Sequence, residues 1–289
     1  MPPPRPPYRR APSEAPRRAT GIGAPGLHRA GQTEARSCGG RHSAVDDSST
    51  RVRGTNINGA TALVTGANRG IGRHLAAQLA ERGAKVYATA RRPESIDLDG
   101  VEVLALDVTD PDSVTAAAEQ ARDVDLLVND AGIGGGALLG DPDGVRATMD
   151  VNFWGTLSVI RAFAPVLAGN GGGAILAIAS SASWFVFPGT GAYAVSKAAV
   201  WSMGNALRQE LADQGTRLTS VHLGAADTDM TKGLDVPKMT AAEVARAALD
   251  GVESEVYEVV ADAFTAMVKS SLSQDPRHFA ARFHEFLTA

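Results

Sequence analysis

Cysteine is almost absent: Cys38 is the single one in 289 residues. One thiol cannot build an intrachain disulfide framework or a metal site of clustered cysteines, and no metal is expected. The scarcity suits a reducing compartment, so the expected location is the cytoplasm. No run of about eighteen apolar residues occurs, and a membrane partner is not expected. A strong excess of one charge is also missing. The 28 basic side chains face 32 acidic ones, for a formal net charge of −4, which argues against a nucleic-acid partner. What is present is apolar mass. At 44% of the residues it is ample for a core in a chain that suits one large α/β domain or two small ones.

Residues 1–56 are poor in large apolar side chains and rich in Pro, Arg, Ser and Gly. They hold ten arginines and four acids, a net of +6 that leaves −10 for the remainder. Such a segment buries too little to offset its ordering entropy, and it reads as a disordered, dispensable tail. The pairs Arg9–Arg10 and Arg17–Arg18 lack the apolar stretch that a twin-arginine export signal requires. Arginine content would suit an organelle transit peptide, but the proline density opposes an amphipathic helix. An upstream start codon is the plainer source of such a tail.

From Ile57 the texture changes, and a single domain is expected over 57–289. Thr61–Thr65 is a short apolar run ending in a glycine-rich turn, hence a buried strand. Ile71, Leu75 and Leu79 share one face of a helix over Ile71–Arg82. Strands are expected at Lys85–Thr89, Val101–Val108, Asp125–Asn129, Ala174–Ala179, Leu218–Leu223 and Val256–Val260. Helices are expected near Asp112–Arg122, Asp143–Ala168, Ala192–Gln214, Thr240–Gly251 and Asp262–Leu272. Apolar strands alternating with helices specify a doubly wound α/β fold, a parallel sheet of about seven strands with helices on both faces. Ligands of such sheets sit at the carboxyl ends of the strands.

Thr65-Gly66-Ala67-Asn68-Arg69-Gly70-Ile71-Gly72 joins the first strand to the first helix. Glycines let a backbone approach a pyrophosphate, and the helix start aims free N–H groups at it. The spacing is not Gly-x-Gly-x-x-Gly, and tight-turn geometry alone would also use glycines here. The second strand sharpens the reading. Ala90 stands where an NAD-binding fold places an acid for the ribose 2′-hydroxyl. Arg91 and Arg92 follow, and Arg69 lies in the glycine loop. Guanidinium groups grip phosphate in a fork, so the expected cofactor is NADP(H). Solvated surface arginines are the alternative.

Tyr193 and Lys197 stand four apart at the start of the second long helix, on one face. An ammonium beside a phenol stabilises phenolate and can draw the pKa from about 10 toward neutrality. A drop of ~3 units needs roughly 4 kcal/mol of differential stabilisation. Such a phenol can exchange a proton with an alcohol or carbonyl oxygen. Tyr-x-x-x-Lys is weak in isolation. Ser180 adds to it, ending the fifth strand thirteen residues earlier, where a hydroxyl can bond the same substrate oxygen. Ser181 and Ser183 are nearby alternatives.

Together these motifs, with Asn129-Asp130-Ala131-Gly132 and Asn152, resemble the short-chain dehydrogenase/reductase family over about residues 57–265. The resemblance implies Tyr193 as general acid/base, Ser180 as the group polarising the carbonyl, and Lys197 as the residue that lowers the tyrosine pKa and holds the nicotinamide ribose. It implies that Asn152 supports a proton-relay water, that Asp107, beside Val108, contacts adenine, and that Thr228 lies beside the nicotinamide amide. Gly66, Asn68, Arg69, Gly70, Ile71 and Gly72 would hold the pyrophosphate side, with Arg91, Asn129, Ala131 and Gly132 completing the cofactor site. Asp130 departs from the family's second asparagine, and Leu223-Gly224 from its Pro-Gly. The implied activity interconverts an alcohol and a ketone or aldehyde. The implied assembly is a homodimer or homotetramer through the two long helices. Trp184, Phe185, Val186 and Phe187 suggest a wall for an apolar substrate, or packing against the core. Met230–Met239 would form the substrate lid. His222 reads as a packed core histidine. A non-catalytic NADP(H)-binding sensor of the same fold is the competing reading. A Rossmann-type methyltransferase would explain neither the Ser–Tyr–Lys spacing nor the arginines.

Overall fold

The run Thr61–Thr65 forms strand β1, buried along nearly its whole length, and the sheet grows outward from it on both sides. The structure is a computed structural model that describes residues 55–275 and 277. The tail expected over residues 1–56 therefore lies outside the described residues, apart from Thr55 and Asn56. After β1 come α1 (Gly70–Glu81), β2 (Lys85–Ala90), β3 (Glu102–Ala105), α2 (Pro111–Gln120) and β4 (Leu126–Asn129). Next are α3 (Pro142–Met149), α4 (Thr156–Gly169), β5 (Gly173–Ile178), α5 (Gly191–Glu210) and β6 (Thr216–His222). Short β7 (Ala226–Asp227) and β8 (Met239–Thr240) lead to α6 (Ala241–Glu253), β9 (Glu258–Val260) and α7 (Ala263–Ser270).

Seven strands pair in the order β3-β2-β1-β4-β5-β6-β9, every pair parallel. This is the doubly wound sheet that the alternation of elements predicts. The direction of growth reverses between β1 and β4, which opens a crevice at their carboxyl ends. One core layer packs Leu75 and Leu79 of α1 and Val244 and Leu249 of α6 on the sheet. The opposite layer brings Val114, Phe163, Leu167 and Leu207 from α2, α4 and α5 onto the other face.

Several boundaries move for local reasons. β3 is shorter than Val101–Val108, because Asp107 turns away and accepts bonds from the Thr109 N–H (3.0 Å) and hydroxyl (2.7 Å). α5 stops at Glu210 in a series of turns closed by Gly215, and β6 begins there, at Thr216. The first long helix is not one regular rod: a π-helical turn, Asp150–Gly155, separates α3 from α4. The pairing of β7 with β8 was not expected, since two-residue strands leave no periodicity to read. The continuous helical span Pro142–Gly169 is also long and apolar enough, by length and composition, to cross a membrane. Helical stacking gathers apolar side chains that the linear sequence interrupts, and here Val159, Ile160, Phe163 and Leu167 are buried in the sheet's core layer.

Helix starts position the chemistry. Asp110, Asp141, Thr240 and Asp262 each accept a bond from a first-turn N–H of α2, α3, α6 and α7. α1 has no such side-chain cap. Its first N–H groups, Gly70 and Ile71 among them, follow directly on the glycine loop, at the crevice.

Candidate active site

A cleft of about 430 Å³ lies along the carboxyl ends of the strands. Its first wall is the β1–α1 turn, where Gly66, Asn68, Arg69, Gly70 and Ile71 face in. Gly66 holds φ at 70°, the left-handed region that favours glycine. Gly72 does not line the cleft. A Cβ there would collide with the Gly66 carbonyl and sit 2.6 Å from Asp130 Oδ2, so its role is close packing of helix on strand. Thr65 fixes the facing wall, its hydroxyl accepting the Asp130 and Ala131 N–H groups at 3.0 Å each. Ala131 and Gly132 line the cleft there, whereas Asn129 is buried beneath them.

The far wall carries Ser180, Tyr193 and Lys197 together. Neither serine alternative joins them: Ser181 and Ser183 are buried outside the lining, and the Ser183 hydroxyl donates to the Lys197 carbonyl at 3.0 Å. Lys197 Nζ lies 5.7 Å from the centre of the Tyr193 ring and donates to the Ile178 carbonyl at 2.7 Å. Burial pulls the Lys197 pKa down to about 8, opposed by the charge of Asp130. Burial also pushes the Tyr193 phenol above its ordinary value; the Ser180 hydroxyl works against that, and Asp130 adds to it. For the chain's own residues the direction is upward rather than the expected downward, with burial as the largest cause. Asp130 itself is raised to about 7 by burial, against the pull of Lys197 and the Gly72 N–H.

Asn152 sits on the π-helical turn, 1% exposed and outside the lining. Its Oδ1 accepts the Ile133 N–H at 2.8 Å, and its Nδ2 donates to the Ile133 carbonyl and to Ser196 Oγ, both at 2.9 Å. It ties the loop after β4 to the helix that bears Tyr193 and Lys197.

At the other end the lining is cationic. Arg91 and Arg92 follow β2 and line the same end as Asp107 and Val108, which follow the paired strand β3. Burial works to raise the Asp107 pKa, but the two bonds from Thr109 and the Arg91 charge hold it below its ordinary value. Arg69 reaches over the mouth to Asp229 at 3.4 Å, with both side chains largely exposed. Thr228 and Met230 line the same side, and Thr228 Cγ2 would lie 3.4 Å from a Cβ on Gly70. Thr228 and Asp229, just before the segment expected as a lid, therefore reach the glycine loop.

A family model for short chain dehydrogenases matches residues 60–238. The chain belongs to the short chain dehydrogenase family. Among relatives of this family, it is 37% identical over 198 residues to 1-deoxy-11-beta-hydroxypentalenate dehydrogenase of Streptomyces avermitilis, covering 62% of this chain and 73% of the relative. Its fold is similar to that of a Burkholderia cenocepacia short chain dehydrogenase solved in complex with NADP. The TM-score is 0.75 at 37% identity, over 78% of this chain and 98% of that one. It is also similar to a 3-ketoacyl-(acyl-carrier-protein) reductase of Brucella melitensis complexed with NADH. There the TM-score is 0.65 at 27% identity, over 70% of this chain and 96% of the other. The fold and the oxidoreductase class follow.

Sequence reasoning missed part of the short chain dehydrogenase site. Ser95 lines the cationic end, and its hydroxyl donates to the Arg92 carbonyl at 2.6 Å. Ile133 and Ile178 also face in, with no signal beyond ordinary loop and strand composition. The loop Trp184–Phe187 does not form the cleft wall. Trp184 stacks on His222, and Phe185 and Phe187 pack with Phe264 of α7 at centroid distances of 6.3 and 5.8 Å. Only Val186, 56% exposed, faces solvent. Inward packing against α7 took those rings, as the second of the two alternatives anticipated.

Proposed function

We propose that the chain is an NADP(H)-dependent oxidoreductase that interconverts an alcohol and a ketone or aldehyde, with Tyr193 as general acid/base. The observation that carries this reading is one cleft lined at one end by Arg91 and Arg92 and at the other by Ser180, Tyr193 and Lys197. A dinucleotide fits the residues present. The glycine turn comes so close to the next wall that a Cβ on Gly66 would be 3.1 Å from Ala131 Cα. The uncapped start of α1 offers N–H groups for a pyrophosphate. Arg91, with Arg69 and Arg92, would take a 2′-phosphate, Asp107 and Val108 the adenine, and Lys197 and Thr228 the nicotinamide side.

When bound, the nicotinamide supplies two electrons as hydride to the carbonyl carbon. The chain's residues handle the oxygen. Ser180 donates a hydrogen bond to it as negative charge develops, and Tyr193 gives up its phenolic proton. A phenol held above its ordinary pKa keeps that proton until an alkoxide, a far stronger base, takes it. This suits reduction. Lys197 lies close enough to stabilise the phenolate left behind, and Asn152 holds the loop over it. Leu138, Val186, Met230 and Leu234 are exposed on loops at this end of the sheet, which supports an apolar substrate. A homodimer or homotetramer belongs to the same reading, supported by exposed Trp154 and Val195 on the two long helical segments. So does a cytoplasmic location, supported by the lone cysteine.

Consumption of NADPH and of NADH with a panel of ketones and aldehydes tests the reading. Turnover that favours NADPH is expected. Tight NADPH binding with no turnover on any member would instead favour the sensor.

A further inference from the structure

His222 ends β6 completely buried, and it is bonded to the turn that bears Ser180 rather than to the cleft. Its Nδ1 lies 3.1 Å from the Ser180 carbonyl oxygen. A carbonyl only accepts, so Nδ1 carries the proton. The imidazole plane stacks on Trp184 at 4.0 Å between centroids, with 15° between planes. The one ring thus grips the segment 180–184 at both ends. The neighbouring residue adds to the template: the Leu223 carbonyl accepts the Ser181 N–H at 2.7 Å and the Ser180 hydroxyl at 3.4 Å.

We propose that His222 is a positioning residue: as a neutral imidazole donating Nδ1–H to the Ser180 carbonyl, it fixes the peptide unit from which the Ser180 hydroxyl projects into the cleft. This rests on Ser180 acting in the reaction proposed above. With that bond made, the peptide between Ser180 and Ser181 is held on its carbonyl side by His222 and on its N–H side by Leu223. Without it, the carbonyl keeps one donor, the Ser183 N–H at 3.0 Å, and loses the second, so the peptide plane is less firmly fixed. A rotation of that plane moves Oγ, and a misplacement of about 1 Å at a reacting group costs on the order of 100-fold.

Burial, more than the surrounding charges, keeps the ring neutral. Glu258 on β9 faces Nε2 at 3.8 Å, yet it is already engaged by Trp201 Nε1 at 2.7 Å and Lys269 Nζ at 2.6 Å. Lys269 of α7 also lies over the Trp184 ring at 5.5 Å. Arg208 on α5 is the remaining charge near the ring. Burial lowers the His222 pKa to about 4, with Lys269 and Arg208 acting in the same direction and Glu258 and the Ser180 bond opposing.

Two variants separate the hydrogen bond from the packing. His222→Phe keeps a ring to stack on Trp184 but has no donor. His222→Asn gives up the ring and keeps an N–H donor near the Nδ1 position. His222→Phe is expected to lose roughly 10- to 100-fold in kcat, with KM and the Kd for NADPH within twofold of wild type. His222→Asn should recover most of that loss. Wild-type kcat in His222→Phe, or equal losses in both variants, would overturn the proposal. A readout independent of turnover is the ¹⁵N spectrum of the full-length protein labelled at histidine. It should show His222 protonated at Nδ1 and neutral from pH 5 to 8; an Nε2–H tautomer would overturn the proposal even if the variants fail to fold. Tyr193→Phe, assayed beside them, isolates the underlying reading. Full activity there removes the proposed acid, whereas a dead Tyr193→Phe with an unaffected His222→Phe removes only the histidine's role.

Discussion

The two ends of the cleft are built on opposite principles. At one end Arg91 and Arg92 are exposed, with Asp107 as a charged neighbour in the lining. At the other end Asp130, Tyr193 and Lys197 are recessed, and burial is the largest influence on the pKa of each. An exposed end discriminates by charge, over distances that salt screens. A recessed end holds protons at unusual affinities because water is excluded. The same crevice can therefore separate selection of the cofactor from the chemistry.

The largest expected effect lies at the recessed end. Tyr193→Phe should lower kcat by about 10²–10⁴-fold while the Kd for NADPH moves less than threefold, measured by steady-state kinetics and fluorescence titration. Comparable damage to binding would mean that the two ends are not separable. Next is the exposed end. Arg91→Ala should weaken NADPH by roughly 10- to 100-fold and NADH hardly at all, the loss shrinking as salt rises. Equal losses on both nucleotides would remove the 2′-phosphate pocket from the comparison.

Asp130→Asn sharpens the contrast through pH. The folded-state pKa is raised to about 7 from an ordinary 3.8. The stability tied to keeping this carboxyl protonated is therefore complete below about pH 4 and is lost as pH rises through about 7. Asparagine has no such dependence. The Tm advantage of Asp130→Asn over wild type should grow by on the order of a few °C between pH 5 and pH 8, as scanning calorimetry would record. A flat difference would show that the acid is not recessed in effect. The smallest effect is expected for Asp229→Ala, which breaks the exposed contact with Arg69. Such pairs contribute at most about 1 kcal/mol, and the KM for NADPH should move less than twofold.

The sheet, the glycine turn and the Tyr193–Lys197 pair were legible because each is a local pattern: a short apolar run, a turn of small residues, one helical repeat. Asp130 was visible only as an exchanged letter. What it does depends on α1 passing overhead at Gly72 and on Lys197 arriving from α5. His222 was legible as a core residue, but its bond to Ser180 spans 42 positions and leaves no trace in spacing. The loop Trp184–Phe187 has the same composition whether its rings face a substrate or α7, so only packing could decide it. Membrane-length apolarity in Pro142–Gly169 was missed for the converse reason: polar letters break the run in sequence, and the helix reunites the apolar ones.

The π-helical turn at Asp150–Gly155 has a mechanical side. A regular helix advances about 100° per residue, so one surplus residue in a wide turn resets the phase of everything after it. Here that offset lets one continuous span point Asn152 toward the loop after β4 and still seat Phe163 and Leu167 in the sheet. Deleting a single residue from the turn would straighten the rod and swing those two anchors about a quarter-turn out of register. The span would then have to choose between its grip on the crevice and its grip on the sheet.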